Sequence, residues 1–185
     1  MNLLHLDSSI LGDNSASRAI SAAVVERQRA LHSGLNVIYR DLVAQPVPHL
    51  DFEAFAHLEQ ADELREFLTA DIVVIGAALY NFTIPSQLKT WIDRICVRGK
   101  TFTYGEAGPV GLVTDKRVIV ALARGGIYRP DTPMMGFEHA ETLLQAVFRF
   151  LGTEPEFVTA EGVAQGDEQR REAMAQALER ARELA

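Results

Sequence analysis

The sequence predicts an α/β fold built on a parallel β-sheet, and three observations carry that expectation. Short apolar runs alternate with longer segments of helical period, the pattern of strands joined by helical crossovers. One run, Ile72-Val73-Val74-Ile75-Gly76-Ala77-Ala78, is apolar on both faces, as a central parallel strand must be. The 185 residues, 48% apolar and 23% charged, suffice to bury a core without disulfide or metal staples. One domain over residues 1–185 is therefore expected.

Each element has its own reason. Asn2–Asp7 is a first strand that runs into a polar loop, and the helix of about Arg18–Leu31 follows, with Ile20, Val24 and Leu31 on one stripe. Asn36–Asp41 is the second strand, ended by the turn-rich Gln45-Pro46-Val47-Pro48. A helix near Ala61–Ala70 leads into the third strand, Ile72–Ala78. The next helix opens at Pro85, whose missing N–H would have had no partner in a first turn. Its Leu88, Trp91, Ile92, Ile95 and Cys96 sit at helical spacing and should face the sheet, Cys96 as buried filler and not as a reactive thiol. Arg117–Leu122 is the fourth strand, Phe137–Leu151 a helix, Glu156–Thr159 the fifth strand, and Asp167–Leu184 a closing charged, alanine-rich helix. Five strands with helical crossovers suggest a three-layer, doubly wound sheet of the flavodoxin-like order 2-1-3-4-5.

Composition excludes several functions. Eighteen basic against 25 acidic residues give a charge of −7, and no Lys/Arg block offers a nucleic-acid or anionic-membrane surface. A single cysteine rules out an internal disulfide framework, and the five histidines, His5, His32, His49, His57 and His139, lack metal-ligand spacing. The longest apolar run, Ile72 to Tyr80, is too short to span a membrane, and the start of the chain reads as a strand and not a signal peptide. A soluble, cytoplasmic protein without a metal site is expected.

In such a sheet, ligands bind beyond the carboxyl ends of the strands where the strand order reverses. That places the chemistry in the loops after strands one, three and four. The first, Ser8 to Ser17, offers four serine hydroxyls and the free N–H groups of a helix start, which is either an anion site or a serine-rich cap. It carries no lysine and matches neither the Walker-A nor the dinucleotide fingerprint. In the second, Leu79-Tyr80-Asn81-Phe82-Thr83-Ile84-Pro85, two aromatics flank an asparagine, as a flat ring would need at its edge or as a core lid would supply. The third, Ala123-Arg124-Gly125-Gly126-Ile127-Tyr128, has paired glycines that allow close backbone approach to a ligand or form a tight turn. No Gly-x-Ser-x-Gly elbow or triad is evident, and Asp7 has no acidic companions, so the hard chemistry is expected of a cofactor.

These stretches resemble the FMN-dependent NADH azoreductases, which are also quinone reductases of flavodoxin-like fold. The resemblance rests on Ser8-Ser9-Ile10-Leu11 with Ser15-Ala16-Ser17, and on Tyr80-Asn81-Phe82-x-Ile84-Pro85-x-Gln87-Leu88-Lys89-x-Trp91-Ile92-Asp93. It continues through Thr101-Phe102-x-Tyr104, Gly108-Pro109-x-Gly111-Leu112, Arg124 to Tyr128, and Ala160-Glu161-Gly162, nearly the whole chain. It implies that Ser9, Ser15, Ala16 and Ser17 hold the FMN phosphate. It implies that Leu79, Tyr80, Asn81 and Phe82 line one edge of the isoalloxazine and Ala123, Arg124, Gly125 and Gly126 the other. The family often has serine where this chain has Ala123, which leaves backbone contacts there, and Asp51–Ala61 is shorter than in some members.

The resemblance further implies a homodimer with active sites at the interface. Tyr104, on the projecting segment Gly99–Asp115, then faces the acceptor pocket, whereas a plain surface hairpin would leave Phe102 and Tyr104 exposed. The implied reaction is ping-pong. NADH or NADPH reduces the FMN, and a quinone or an aromatic azo compound takes two electrons, with Asn81 and Gly126 supporting the reduced ring and no acid–base residue required. The alternatives are a flavodoxin-type electron-transfer module and an FAD-containing quinone reductase of the same superfamily. Arg124 or Arg129 would favour the extra phosphate of NADPH, but both read rather as surface arginines.

Overall fold

The computed structural model describes residues 1–185. Its elements are β1 (Asn2–Asp7), α1 (Ala16–Leu31), β2 (Asn36–Asp41), α2 (Phe52–Ala56), α3 (Asp62–Thr69), β3 (Ile72–Ala78), α4 (Ser86–Ile95), β4 (Phe102–Gly105), β5 (Gly108–Gly111), β6 (Arg117–Arg124), α5 (Ala140–Leu151), β7 (Glu156–Glu161) and α6 (Asp167–Glu183). Five strands form one parallel sheet in the order β2-β1-β3-β6-β7, with β6 and β7 in the places expected for the fourth and fifth strands. The strand order read from the sequence is the order found.

Alternation along the strands builds two cores. Leu4, Leu6, Val73, Ile75, Ala77, Val118, Val120 and Leu122 face one side, against Phe67 of α3, Leu88, Trp91, Ile92 and Ile95 of α4, and Leu144, Phe148 and Leu151 of α5. Leu3, Ile72, Val74, Ile119 and Ala121 face the other, against Ile20, Val24 and Val25 of α1. There α6 contributes Ala173, Ala177 and Ala181, small residues four apart on one stripe, which let its backbone lie close. A fully buried Leu, Ile or Val contributes roughly 1.5–3 kcal/mol, so β3, buried at every position, anchors both layers.

Boundaries shift where side chains cap backbone. Helix α1 begins at Ala16 and not Arg18, because Ser15 accepts a hydrogen bond from the Arg18 N–H at 3.3 Å. Its buried stripe is Ser17, Ile20, Ser21, Val24, Val25 and Gln28, and Leu31 lies at the last turn, 38% exposed. Helix α5 begins at Ala140 and not Phe137, because the Glu138 carboxylate accepts from the N–H groups of Ala140 and Glu141 at 3.0 Å each. Strands β6 and β7 run two residues further than expected, to Arg124 and Glu161. The short α2, capped by Asp51 on Ala54 N–H at 2.7 Å, has no counterpart in the sequence reading. Cys96, just past α4, is half-buried against the larger core, and burial pushes its thiol up to about 11.

Residues 99–115 project as the antiparallel hairpin β4–β5. Phe102 is not left exposed, because its ring packs on Phe150 at 4.5 Å. Gly111 lies directly on Gly152, where any Cβ would sit 2.2 Å from the Gly152 nitrogen. Tyr104 stands out, 58% exposed, with the Arg98 guanidinium 5.6 Å from its ring centroid, and Val110 and Leu112 are exposed beside it.

Candidate active site

The loops after β1, β3 and β6 meet where the strand order reverses. In the first, the Ser8 hydroxyl donates to the Gly76 carbonyl at 2.7 Å, which withdraws one of the four expected hydroxyls. Ser9, Ser15 and Ser17 remain, all buried, with the Ser15 and Ser17 hydroxyl oxygens 3.1 Å apart. Ser15 is a helix cap, and the N–H groups of Ala16 and Ser17 beside it meet no acceptor in the chain. Hydroxyls of Ser9, Ser15 and Ser17 and two helix-start N–H groups thus offer neutral donors with the positive end of the α1 dipole behind them.

The second loop is strained. Tyr80 and Thr83 exchange both backbone hydrogen bonds, at 2.9 and 3.1 Å, across a two-residue turn. Asn81 at φ 46° and Phe82 at φ 74° both occupy the left-handed region, which Asn tolerates and which costs Phe about 1–2 kcal/mol. This conformation leaves the Asn81 and Phe82 N–H groups without acceptors. The Tyr80 hydroxyl lies 3.0 Å from the Ser9 hydroxyl oxygen, which joins the first loop to the second.

The third loop has the same character. The Arg124, Gly125 and Gly126 carbonyls accept from the N–H groups of Val163, Ala164 and Gly162 at 3.0–3.1 Å, and the Gly125 and Gly126 N–H groups remain unpaired. Leu79 N–H donates to the Ala123 carbonyl at 2.8 Å, which fixes this loop beside the second. Arg124 is not the surface arginine expected. It is 7% exposed, and its guanidinium turns away from the loop face into Glu138, Glu141 and Glu161. Arg129 is exposed, as expected.

A cleft of about 870 Å³ opens beside the second loop. Ile10, Leu79, Tyr80, Ile84, Pro85 and Leu143 line it together with Asn81, His49, Gln87 and the Lys89–Asp93 ion pair. Neither Tyr104 nor the paired glycines line this cleft within one chain.

Sequence reasoning misses the supports under the first loop. Arg18 donates twice to the Ser9 carbonyl, at 2.9 and 3.2 Å, and pairs with both oxygens of Asp41 at 2.7 and 2.8 Å. Below it, buried Asp7 accepts from Ser21 at 2.8 Å and from Tyr39 at 3.1 Å, and burial together with Asp7 pushes the Tyr39 phenol up to about 12. His49 likewise reads in the sequence only as a surface or structural residue. The available signal is position, since Arg18 opens α1 and Asp41 and His49 end or follow β2 at the ligand side of the sheet.

The Arg18 hydrogen bond holds the Asp41 carboxyl at about 2, below its ordinary 3.8. A folded-state value below the unfolded one adds stability that is complete above the ordinary value and is lost as the pH falls through about 2. Asp41→Asn is therefore expected to destabilise the protein at neutral pH by about 1 kcal/mol, the shift being discounted for solvent screening of a part-buried pair, and to flatten the acid limb of a urea-unfolding series. A variant whose acid limb matches the wild type would contradict this assignment.

A doubly wound sheet with an anion-ready helix start and two donor-bearing loops beside it, the first of them strained at Asn81 and Phe82, suits a phosphate-bearing planar ligand. Comparison with known proteins agrees. The family profile described as flavodoxin-like fold matches residues 1–185, and the chain belongs to that family. It is 53% identical to an FMN-dependent NADH:quinone oxidoreductase of Methylorubrum extorquens, over 100% of this chain and 98% of the relative. An azoreductase from Bacillus anthracis str. Sterne superposes with a TM-score of 0.88 at 29% identity, covering 98% of this chain and 97% of the other. An FMN-dependent NADH-azoreductase from Bacillus anthracis str. Ames Ancestor, solved in complex with FMN, gives 0.87 at 28% identity, covering 98% and 96%.

Proposed function

We propose that this chain is an FMN-dependent NADH:quinone oxidoreductase that also reduces aromatic azo compounds. The observation that carries the reading is the convergence of unpaired backbone N–H groups from three loops on one end of the sheet. The donor set fits FMN. Neutral hydroxyls of Ser9, Ser15 and Ser17 with the Ala16 and Ser17 N–H groups suit a phosphate monoester, and the two pairs Asn81–Phe82 and Gly125–Gly126 suit the polar rim of a flat ring. Bound FMN would accept a hydride from NADH and deliver two electrons to a quinone, which takes two protons and becomes a hydroquinone.

The chain's own residues orient and exclude. Ile10, Leu79 and Ile84 give the cleft an apolar lining, and Tyr80 braces the ring loop against the phosphate loop through Ser9. Arg124 is committed to three carboxylates and so is not free for the extra phosphate of NADPH, which favours NADH as donor.

The working unit is a homodimer in this reading. Ile10, Leu11, Phe52, Phe55, Phe82 and Phe137 are exposed on connections that all follow strand ends at the ligand side of the sheet, and Phe52 is 87% exposed. Such an apolar rim suits a second copy, with Tyr104 reaching into the partner's acceptor slot. No helix is long and apolar enough to cross a membrane, and the proposed place of action is the cytoplasm.

The test is a two-substrate assay of the purified protein with NADH and a simple benzoquinone, together with sedimentation. Matched consumption of both, and a species of twice 20.4 kDa, are expected. A monomer, or NADH oxidation without quinone reduction, would overturn the corresponding part.

A further inference from the structure

We propose that Arg124 is a positioning residue that sets the spacing between the two walls of the ring slot. This rests on the FMN reading for its function but on the chain alone for its geometry. The guanidinium is 7% exposed at the end of β6. Its Nη1 donates to Glu161 at the end of β7 at 2.8 Å, and its Nη2 pairs with Glu141 in the first turn of α5 and lies 3.6 Å from Glu138. Nε is buried without an acceptor, so the group is held by its forked end and not by full saturation.

Both walls depend on these partners. Glu161 also accepts from the Tyr128 N–H at 3.3 Å and so closes the loop that carries Gly125 and Gly126. The Tyr128 ring then lies against Gly126, where a Cβ would meet it at 3.3 Å. On the other side, Glu138 caps α5 through Ala140 and Glu141, and the adjoining His139 N–H donates to the Phe82 carbonyl at 2.8 Å. The Phe137 ring packs tilted on Phe82, with ring centroids 5.3 Å apart. One buried cation thus links, through the carboxylates of Glu161 and Glu138 and the peptide N–H groups of Tyr128 and His139, the Gly125–Gly126 donors to the Asn81–Phe82 turn. A planar fork is required, because a point charge cannot hold Glu161 and Glu141 from separate nitrogens in one plane.

Three measurements on Arg124→Gln, Arg124→Lys and Glu141→Gln test this. Amide hydrogen exchange on the flavin-free chain should speed up together at the bonded N–H groups of the two walls, Thr83 and His139 on one and Tyr128 and Gly162–Ala164 on the other, while α1 and α6 exchange as in the wild type. Titration with FMN should show a dissociation constant raised at least about tenfold in Arg124→Gln and in Arg124→Lys alike, since the lysine point charge does not replace the fork. The midpoint potential of the flavin-saturated variants should move, since donors at the ring edge stabilise its two oxidation states unequally.

A folded variant with unchanged exchange at either wall overturns the proposal. So does coupled exchange with unchanged affinity and potential. If Arg124→Gln does not fold, Glu141→Gln decides by the same criteria, as its partially exposed carboxylate can be neutralised with less disruption. A wild type that takes up no FMN would instead defeat the flavin reading, and the exchange data would still report on the Arg124 linkage.

Discussion

Asn81→Ala combined with Gly126→Val is expected to raise the FMN dissociation constant about a hundredfold, roughly 2.7 kcal/mol, with the fold retained. Each substitution acts on a different wall. Asn81 holds φ 46°, a conformation that asparagine adopts far more readily than alanine, so the alanine substitution relaxes the turn that presents two N–H groups. A Cβ at Gly126 meets the Tyr128 ring at 3.3 Å, and the branched methyls of valine must displace that ring or cover the neighbouring N–H groups. Neither change touches the sheet cores, so the flavin-free protein should unfold cooperatively near the wild-type midpoint. Fluorescence titration with FMN measures the effect. Wild-type flavin content after purification would show that the ring does not lie between these walls.

Gly76→Ala is expected to lower the unfolding free energy by about 3 kcal/mol, the scale of overpacking a rigid core. The new Cβ would lie 2.2 Å from a carboxylate oxygen of Asp7 and 3.1 Å from the Ser21 hydroxyl oxygen. Asp7 has nowhere to retreat, since Ser21 and Tyr39 hold its two oxygens and the residue is buried. The same glycine carbonyl accepts from both the N–H and the hydroxyl of Ser8, so the start of the phosphate loop shifts with it. Adding Asp7→Ala should recover part of the loss, because the clash and the ion vanish together. Strict additivity of the two substitutions would contradict the steric cause.

The fold is legible because β3 is apolar throughout and the flanking segments keep clean helical or strand periods. Strand order follows from five such strands joined by helical crossovers, for which the flavodoxin-like order is a common doubly wound arrangement. Helix starts are less legible. Ser15 and Glu138 each end a loop by capping a helix, and a serine-rich or turn-rich stretch before them hides where the first turn closes. The three ligand loops are visible from position, and the structure adds what sequence cannot carry. That Asn81 and Phe82 both have positive φ depends on the Tyr80–Thr83 pairing. Arg124 reads as a surface residue because its three carboxylates lie 14 to 37 positions away and are gathered only by β7 and α5. Arg18 and Asp41 escape for the same reason, as partners joined through the sheet.

The most direct measurement is the visible absorption spectrum of the purified protein before and after NADH in the absence of oxygen, with the released flavin identified. Flavin bands that bleach with NADH and return on adding a quinone, and FMN in the extract, are the predicted result. Bands indifferent to NADH would instead make the protein an electron carrier served by a separate reductase, and a colourless protein that takes up no FMN would contradict the cofactor assignment itself.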